Sequence, residues 1–273
     1  MDNLSTFTLK GHDGIVLSGA RAGDPNGVPV VLLHGYSDSW RSYLPLMREL
    51  PRTFCLTALS LRGHGDSAKP EGPYGTEPMA RDVVAAMDQL GITRAVVVGH
   101  SMGSLVAQRV AQEYADRVIH LVLIGAFATL RDNPEVETLW RDAVAGLTDP
   151  VDPAFARSFQ ESSIHRPVPA DFLAGVIDAS LKLPARVWRA ALDAVRHEDR
   201  SALLGLIGVE TTVIWGDQDG FCGRAEQDRL TRSIPKARLI VHEGTGHAPH
   251  WEEPGRAAAD IAAAIGATRQ AAA

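Results

Sequence analysis

Cysteine is scarce in this 273-residue chain, which carries two, Cys55 and Cys222. Two thiols cannot build a disulfide framework, and a chain this long buries enough apolar surface not to need one. Cys55 lies in the apolar run Phe54-Cys55-Leu56 and reads as buried packing, and Cys222 reads as a structural thiol. Long apolar runs are also missing: nothing approaches the roughly 20 residues that a membrane span needs. Met1–Thr6 shows no basic region followed by an apolar core, so no secretory signal is expected and the chain reads as cytoplasmic. An excess of positive charge is lacking too. Lys and Arg total 27 against 33 Asp and Glu, a net charge of -6, which gives no electrostatic footprint for nucleic acid or an anionic membrane. There is no internal repeat, and 45% hydrophobic with 22% charged residues is ordinary globular composition.

What is present is an alternation. Phe7–Lys10 and Ile15–Leu17 flank the turn Gly11-His12-Asp13-Gly14 and form a hairpin. Val28–Leu33 is continuously apolar, as in a strand covered on both faces of a parallel sheet. Arg52–Leu59, Ala95–Val98, Ile119–Ile124, Thr211–Trp215 and Ala237–Val241 are further strand candidates. Helical patterns lie between them at Glu77–Leu90, after Val98, and at Gly255–Ile265. Strands alternating with helices predict an α/β fold with a doubly wound, mostly parallel, eight-stranded sheet flanked by helices. The alternation breaks between Phe127 and Ile207, where Val136–Leu147, Pro153–Glu161, Ala170–Leu181 and Pro184–Val195 all read as helical. We therefore expect a core of residues 1–127 and 207–273, with residues 128–206 as a helical lid inserted between two late strands. Such a lid covers the strand ends where open α/β sheets bind ligands. The tail Arg269–Ala273 reads as frayed.

Gly99-His100-Ser101-Met102-Gly103 follows a strand and opens a helix. This is the Gly-x-Ser-x-Gly elbow, in which a tight turn presents a nucleophilic serine at the sheet edge. Small flanking residues let the turn close, and the helix N-terminus aims N–H groups at a developing oxyanion. The N–H of Met102 is one such donor. The loop His34-Gly35-Tyr36 stands where a second is needed, and the N–H of Tyr36 is the choice. Two acids compete to orient a base: Asp217 and Asp219, both in the loop after Thr211–Trp215. Asp219 is preferred, because Asp217 can instead cap the turn. Directly after Ile119–Ile124 stand Gly125-Ala126-Phe127, which offer no acid. Of ten histidines, His247 lies in the glycine-flanked loop after Ala237–Val241, with His250 as runner-up. His247, His250, Glu252 and Glu253 do not form a helical metal-binding pattern, so no metal and no organic cofactor is expected. His64 and His100 read as structural.

His34-Gly35, Arg62-Gly63-His64-Gly65-Asp66-Ser67, Gly99–Gly103, Gly216–Asp219 and Gly246-His247 occur in the order and at the strand ends that mark the α/β-hydrolase superfamily. The chain resembles that family over nearly its full length, in particular its small helical-capped esterases and enol-lactonases. The resemblance implies Ser101 as nucleophile, Asp219 as orienting acid, His247 as base, and Tyr36 and Met102 as oxyanion donors. It implies a structural role for Arg62–Ser67. Ser60 departs from the Asp that many relatives carry there, so that loop is expected to be braced differently. A serine at 101 excludes the carboxylate-nucleophile dehalogenases and epoxide hydrolases, and Tyr36, Tyr43, Tyr74 and Tyr114 all fall outside the lid.

The expected reaction is cleavage of a small, largely apolar ester or lactone through an acyl-serine. A carbon–carbon hydrolase or a perhydrolase would use the same triad, and a ligand-binding receptor could keep the scaffold. Trp140, Phe155, Phe159, Phe172 and Trp188 are the lid aromatics expected toward the pocket, each also a candidate for plain core packing. The lid's one lysine, Lys182, argues mildly against a bulky polyanionic substrate, although Arg131, Arg141, Arg157, Arg166, Arg186 and Arg189 weaken that argument.

Overall fold

The computed structural model describes residues 3–271. Its sheet has eight strands: β1 (Ser5–Lys10), β2 (Val16–Gly23), β3 (Val28–Leu33), β4 (Phe54–Leu59), β5 (Ala95–His100), β6 (Val118–Ile124), β7 (Thr211–Gly216) and β8 (Ala237–His242). They are ordered β1-β2-β4-β3-β5-β6-β7-β8. The leading hairpin is antiparallel, as is the β2–β4 pair, and every later pairing is parallel. The continuous apolar runs follow from helices covering both faces. Val31, Leu33 and Val97 join one hydrophobic cluster, and their neighbours Val30, Leu32, Val96 and Val98 join the other. Each fully buried aliphatic side chain of this kind contributes ~1.5–3 kcal/mol.

Two helices follow β3 and β4: α1 (Leu44–Glu49) and α2 (Thr76–Gln89). On α2, Met79, Val83, Ala86 and Met87 recur at helical spacing and face the first cluster. The helix after the elbow is α3 (Met102–Glu113). Four more lie between β6 and β7: α4 (Pro134–Leu139), α5 (Pro153–Glu161), α6 (Ala170–Leu181) and α7 (Ala185–His197). Then come α8 (Arg224–Ser233), α9 (Pro249–Glu252) and α10 (Pro254–Ala271). Through Leu46, Ala257, Ile261 and Ile265, α1 and α10 cover the second face.

The segment expected as one helix over Val136–Leu147 is α4 followed by a wider π turn, Trp140–Val144, closed by the Ala145 N–H on the Trp140 carbonyl at 2.9 Å. The tail does not fray where expected: α10 continues to Ala271, and Ala272 and Ala273 lie outside the described residues. Met1 and Asp2 also lie outside them. The inserted helices leave and rejoin the sheet through one neck. There Thr129 bridges Asp199, and the Arg200 N–H bonds the Ala128 carbonyl at 2.9 Å. No helix among the described residues is long and apolar enough to cross a membrane.

Candidate active site

Ser101 joins β5 to α3 with φ 51 and ψ -121, a conformation that L side chains rarely adopt. The elbow closes only because its flanks are bare. A Cβ on Gly103 would collide with the carbonyl oxygens of Leu33 and His34. Met102 begins α3, so its N–H has no intrahelical carbonyl to bond and is left for the site.

The Ser101 Oγ lies 2.8 Å from His247 Nε2, and His247 Nδ1 lies 2.8 Å from Asp219 Oδ2. The other carboxylate oxygen of Asp219 accepts the backbone N–H groups of Phe221 at 2.8 Å and Cys222 at 3.0 Å, which fixes the acid's rotation. Asp217 is placed elsewhere. It is exposed, its Oδ1 accepts the Gly244 N–H at 2.6 Å, and that bond holds its carboxyl below the usual range. It therefore ties two turns together and does not reach a histidine. His250 is also set apart. Its ring is buried 4.5 Å from that of His100 and 5.2 Å from that of Tyr43, and burial pushes its pKa down to about 3. Gly125, at φ 50, packs its backbone directly against His247: a Cβ there would strike the His247 carbonyl oxygen and come within 3.1 Å of Nδ1.

The loop after β3 is held by His34. Its Nδ1 bonds the Gly35 carbonyl at 2.7 Å, while its Nε2 accepts the Leu61 N–H at 2.9 Å. These two bonds assign the tautomer, and burial depresses the His34 pKa so that the ring stays neutral. Tyr36 sits on that loop and lines the cavity, and its hydroxyl donates to the Trp188 carbonyl on α7 at 2.6 Å. Ser60 braces the neighbouring loop by accepting the Trp40 N–H at 3.1 Å. Arg62 is buried against Asp82, with Nε to Oδ2 at 2.6 Å, and acts as a strut beneath that loop.

Between loop and insertion lies a cavity of about 50 Å³ that reaches Ser101, Met102 and His247. Of the lid aromatics expected there, Phe159 lines it. The others pack elsewhere. Trp188 is fully buried, its ring 5.1 Å from Tyr36 and 5.5 Å from Phe159, with Phe155 edge-on to it at 5.2 Å. Trp140 lies under the Arg196 guanidinium, and Phe172 packs on Trp251. Aliphatic side chains take their place: Leu130, Val136, Leu139, Leu192 and Val195. Helical spacing marks the buried face of a helix but not which neighbour it meets: Trp188 is buried, Trp140, Phe155 and Phe172 are half-buried against other side chains, and aliphatic side chains share the cavity with Phe159.

Two titratable lining residues were not placed at the site by the sequence reading. Asp38 is buried, its Oδ1 accepts the Gln160 side-chain N–H at 3.1 Å, and burial pushes its pKa up to about 7. His100, read as structural, also faces the cavity, and its Nε2 lies 3.1 Å from the His247 carbonyl oxygen. The available signal for Asp38 was its place four residues after His34 on the loop that meets the nucleophile.

A metal is poorly served here. Asp219, Cys222 and His247 bring donor atoms within 4.8 Å of one another. Yet Asp219 and His247 are spent on each other, and burial, reinforced by Asp219 and Glu226, raises the Cys222 pKa and keeps the thiol protonated. Glu252, near His250, accepts the N–H groups of Gly246, His165 and Arg166.

Comparison with known proteins agrees with this architecture. Pimeloyl-[acyl-carrier protein] methyl ester esterase of Neisseria meningitidis serogroup A is 31% identical over 227 residues, spanning 81% of this chain and 71% of its own length. The esterase RhEst1 from Rhodococcus sp. superposes with a TM-score of 0.85 at 26% identity, over 96% of this chain and 98% of its own. A putative aryl esterase from Burkholderia cenocepacia gives 0.86 at 24% identity, over 97% and 100%, a likeness of fold. The model of the alpha/beta hydrolase fold matches residues 28–254, and the chain belongs to that family.

Proposed function

We propose that the protein is a serine hydrolase that cleaves a carboxylic ester or lactone of a small, largely apolar substrate. The observation that carries this reading is the unbroken relay Ser101–His247–Asp219, with 2.8 Å at each link and its serine opening on the cavity. In this reading His247 takes the Ser101 proton as Oγ attacks the carbonyl carbon, and Asp219 stabilises the imidazolium. The N–H groups of Met102 and Tyr36 receive the oxyanion. The alcohol leaves with the proton held by His247, and an acyl-Ser101 remains. Water activated by His247 then releases the acid.

The similarity to proteins named as esterases supports this reaction class. The cavity bears on substrate size: about 50 Å³ with largely apolar walls suits a short acyl group, and α4 and α7 supply much of that apolar wall. The test is hydrolysis of nitrophenyl acetate and butyrate by wild type and Ser101→Ala. The variant is expected to lose on the order of 10⁴-fold or more in kcat. Wild-type turnover retained in the variant would overturn the mechanism.

A further inference from the structure

The relay leaves two cavity-lining groups unused, Asp38 and His100. The His100 Nε2 faces a carbonyl oxygen, that of His247, which can only accept. Nε2 therefore carries the ring proton, and Nδ1 is a bare acceptor. That Nδ1 is buried and has no hydrogen-bond partner among the described residues. Its ring is held in place between His247, at 5.1 Å, and His250, at 4.5 Å. Facing it at 3.9 Å, too far for a direct hydrogen bond, is Asp38 Oδ2. Asp38 Oδ1 is already engaged by Gln160, whose amide is fixed from α5 by Ser37 and Ser180 as well. With its carboxyl ionised, Asp38 thus confronts His100 Nδ1 as one acceptor facing another on the wall of the cavity that holds the nucleophile; Asp38 is met by the Gln160 amide and the Gly35 N–H, while His100 Nδ1 has no donor.

We propose that Asp38 Oδ2 and His100 Nδ1 form a hydrogen-bond-accepting subsite that selects substrates carrying a hydroxyl group near the scissile carbonyl. This rests on the hydrolase reading above and names its substrate class: hydroxylated short-chain esters or lactones. A hydroxyl beside the gap donates to His100 Nδ1, the buried acceptor that the protein leaves unmet, and such contacts discriminate most. Burial pushes the Asp38 pKa up to about 7, so at the pH 8 of the test its carboxyl is mainly ionised and Oδ2 is an acceptor. Its burial is opposed only by the Gln160 amide, His247 and the Gly35 N–H, with His100 and Tyr43 the other titratable neighbours, and none of these is a permanent cation. Asp38→Asn is the sharp variant. Its carbonyl must face the Gln160 donor, so its NH₂ takes the place of Oδ2 and turns an acceptor into a donor at constant size.

The experiment compares kcat/KM at pH 8 for methyl butyrate and methyl 3-hydroxybutyrate, and for ethyl and 2-hydroxyethyl butyrate. Wild type, Asp38→Asn and Ser101→Ala are assayed. We expect wild type to favour a hydroxylated ester about tenfold or more, and Asp38→Asn to bring that ratio to about one or below. The wild-type ratio needs no variant and decides the matter by itself if Asp38→Asn does not fold. Turnover of both members of each pair at equal efficiency, or a preference that survives in Asp38→Asn, overturns the subsite and leaves the hydrolase reading standing. Turnover of none of the esters overturns the hydrolase reading and the subsite with it.

Discussion

Replacing Asp219 by asparagine tests the proposed orienting acid, and the structure dictates how the amide must sit. Oδ1 receives two backbone donors, from Phe221 and Cys222, and Oδ2 receives His247 Nδ1. An amide has one oxygen to offer. Turning its NH₂ toward the two backbone donors would leave both unmet, at about 1–3 kcal/mol each, against one unmet contact in the other orientation. The carbonyl therefore stays with the backbone, and the NH₂ faces His247. Nδ1 must then accept, which moves the ring proton to Nε2, the nitrogen facing Ser101 Oγ. A base that already carries a proton there cannot take another. The expected loss is on the order of 10⁴-fold in kcat, roughly 5.5 kcal/mol of transition-state stabilisation, with the fold intact. The assay is hydrolysis of a short-chain nitrophenyl ester by Asp219→Asn and Asp217→Asn side by side, with melting curves for both. Asp217→Asn keeps a carbonyl for the Gly244 N–H and should stay close to wild type. Retention of more than about a tenth of wild-type activity in Asp219→Asn would refute the reasoning, as would an equal loss in Asp217→Asn.

Other outcomes follow from burial and close approach. Gly103→Val should abolish the folded state, since its Cβ meets two backbone carbonyls that cannot move without opening β3; a normal melting transition would contradict this. Acidification should destabilise the protein between pH 7 and 5. Burial pushes the pKa values of His64 and His120 down to about 4 and that of His250 to about 3, so the unfolded chain binds protons that the native state refuses. Each contributes a loss of about 2 kcal/mol at pH 5, a stability fully present only above the unfolded value near 6.5. Asp38 acts in the opposite sense, because its native carboxyl binds a proton below about 7 while the unfolded one does so only near 3.8. It offsets about one of the three histidines. Thermal melts across this range should fall toward acid, and a flat profile would show that the histidines are not buried neutral.

The fold was legible because its strands are unbroken apolar runs that only a doubly covered sheet can accommodate. Val28–Leu33 and Ala95–Val98 announce themselves in this way. The elbow was legible for a different reason: Gly99 and Gly103 are demanded by backbone approach, which leaves a local mark in the sequence. The choice between Asp217 and Asp219 turns on which carboxylate the loop rotates inward, a matter of two backbone bonds at Phe221 and Cys222 that spacing merely suggests. α8 was missed because Arg224–Ser233 is polar over most of its surface and buries mainly Gln227 and Leu230. Asp38 was missed because a polar residue in a loop is ordinarily solvated. Its burial is created by α5, a helix more than a hundred residues away in the chain, which no local pattern encodes.

Gly125 has a consequence for how this scaffold can change over generations. It stands just beyond β6, where an acid would have to appear if the orienting carboxylate were to shift from one strand end to another. Any side chain at that position collides with the loop that carries the base. A lineage starting from this sequence cannot pass that duty to position 125 in one substitution while keeping His247 where it is. In the proposed mechanism the route to an acid at position 125 is thereby closed, and the duty stays with Asp219 after β7.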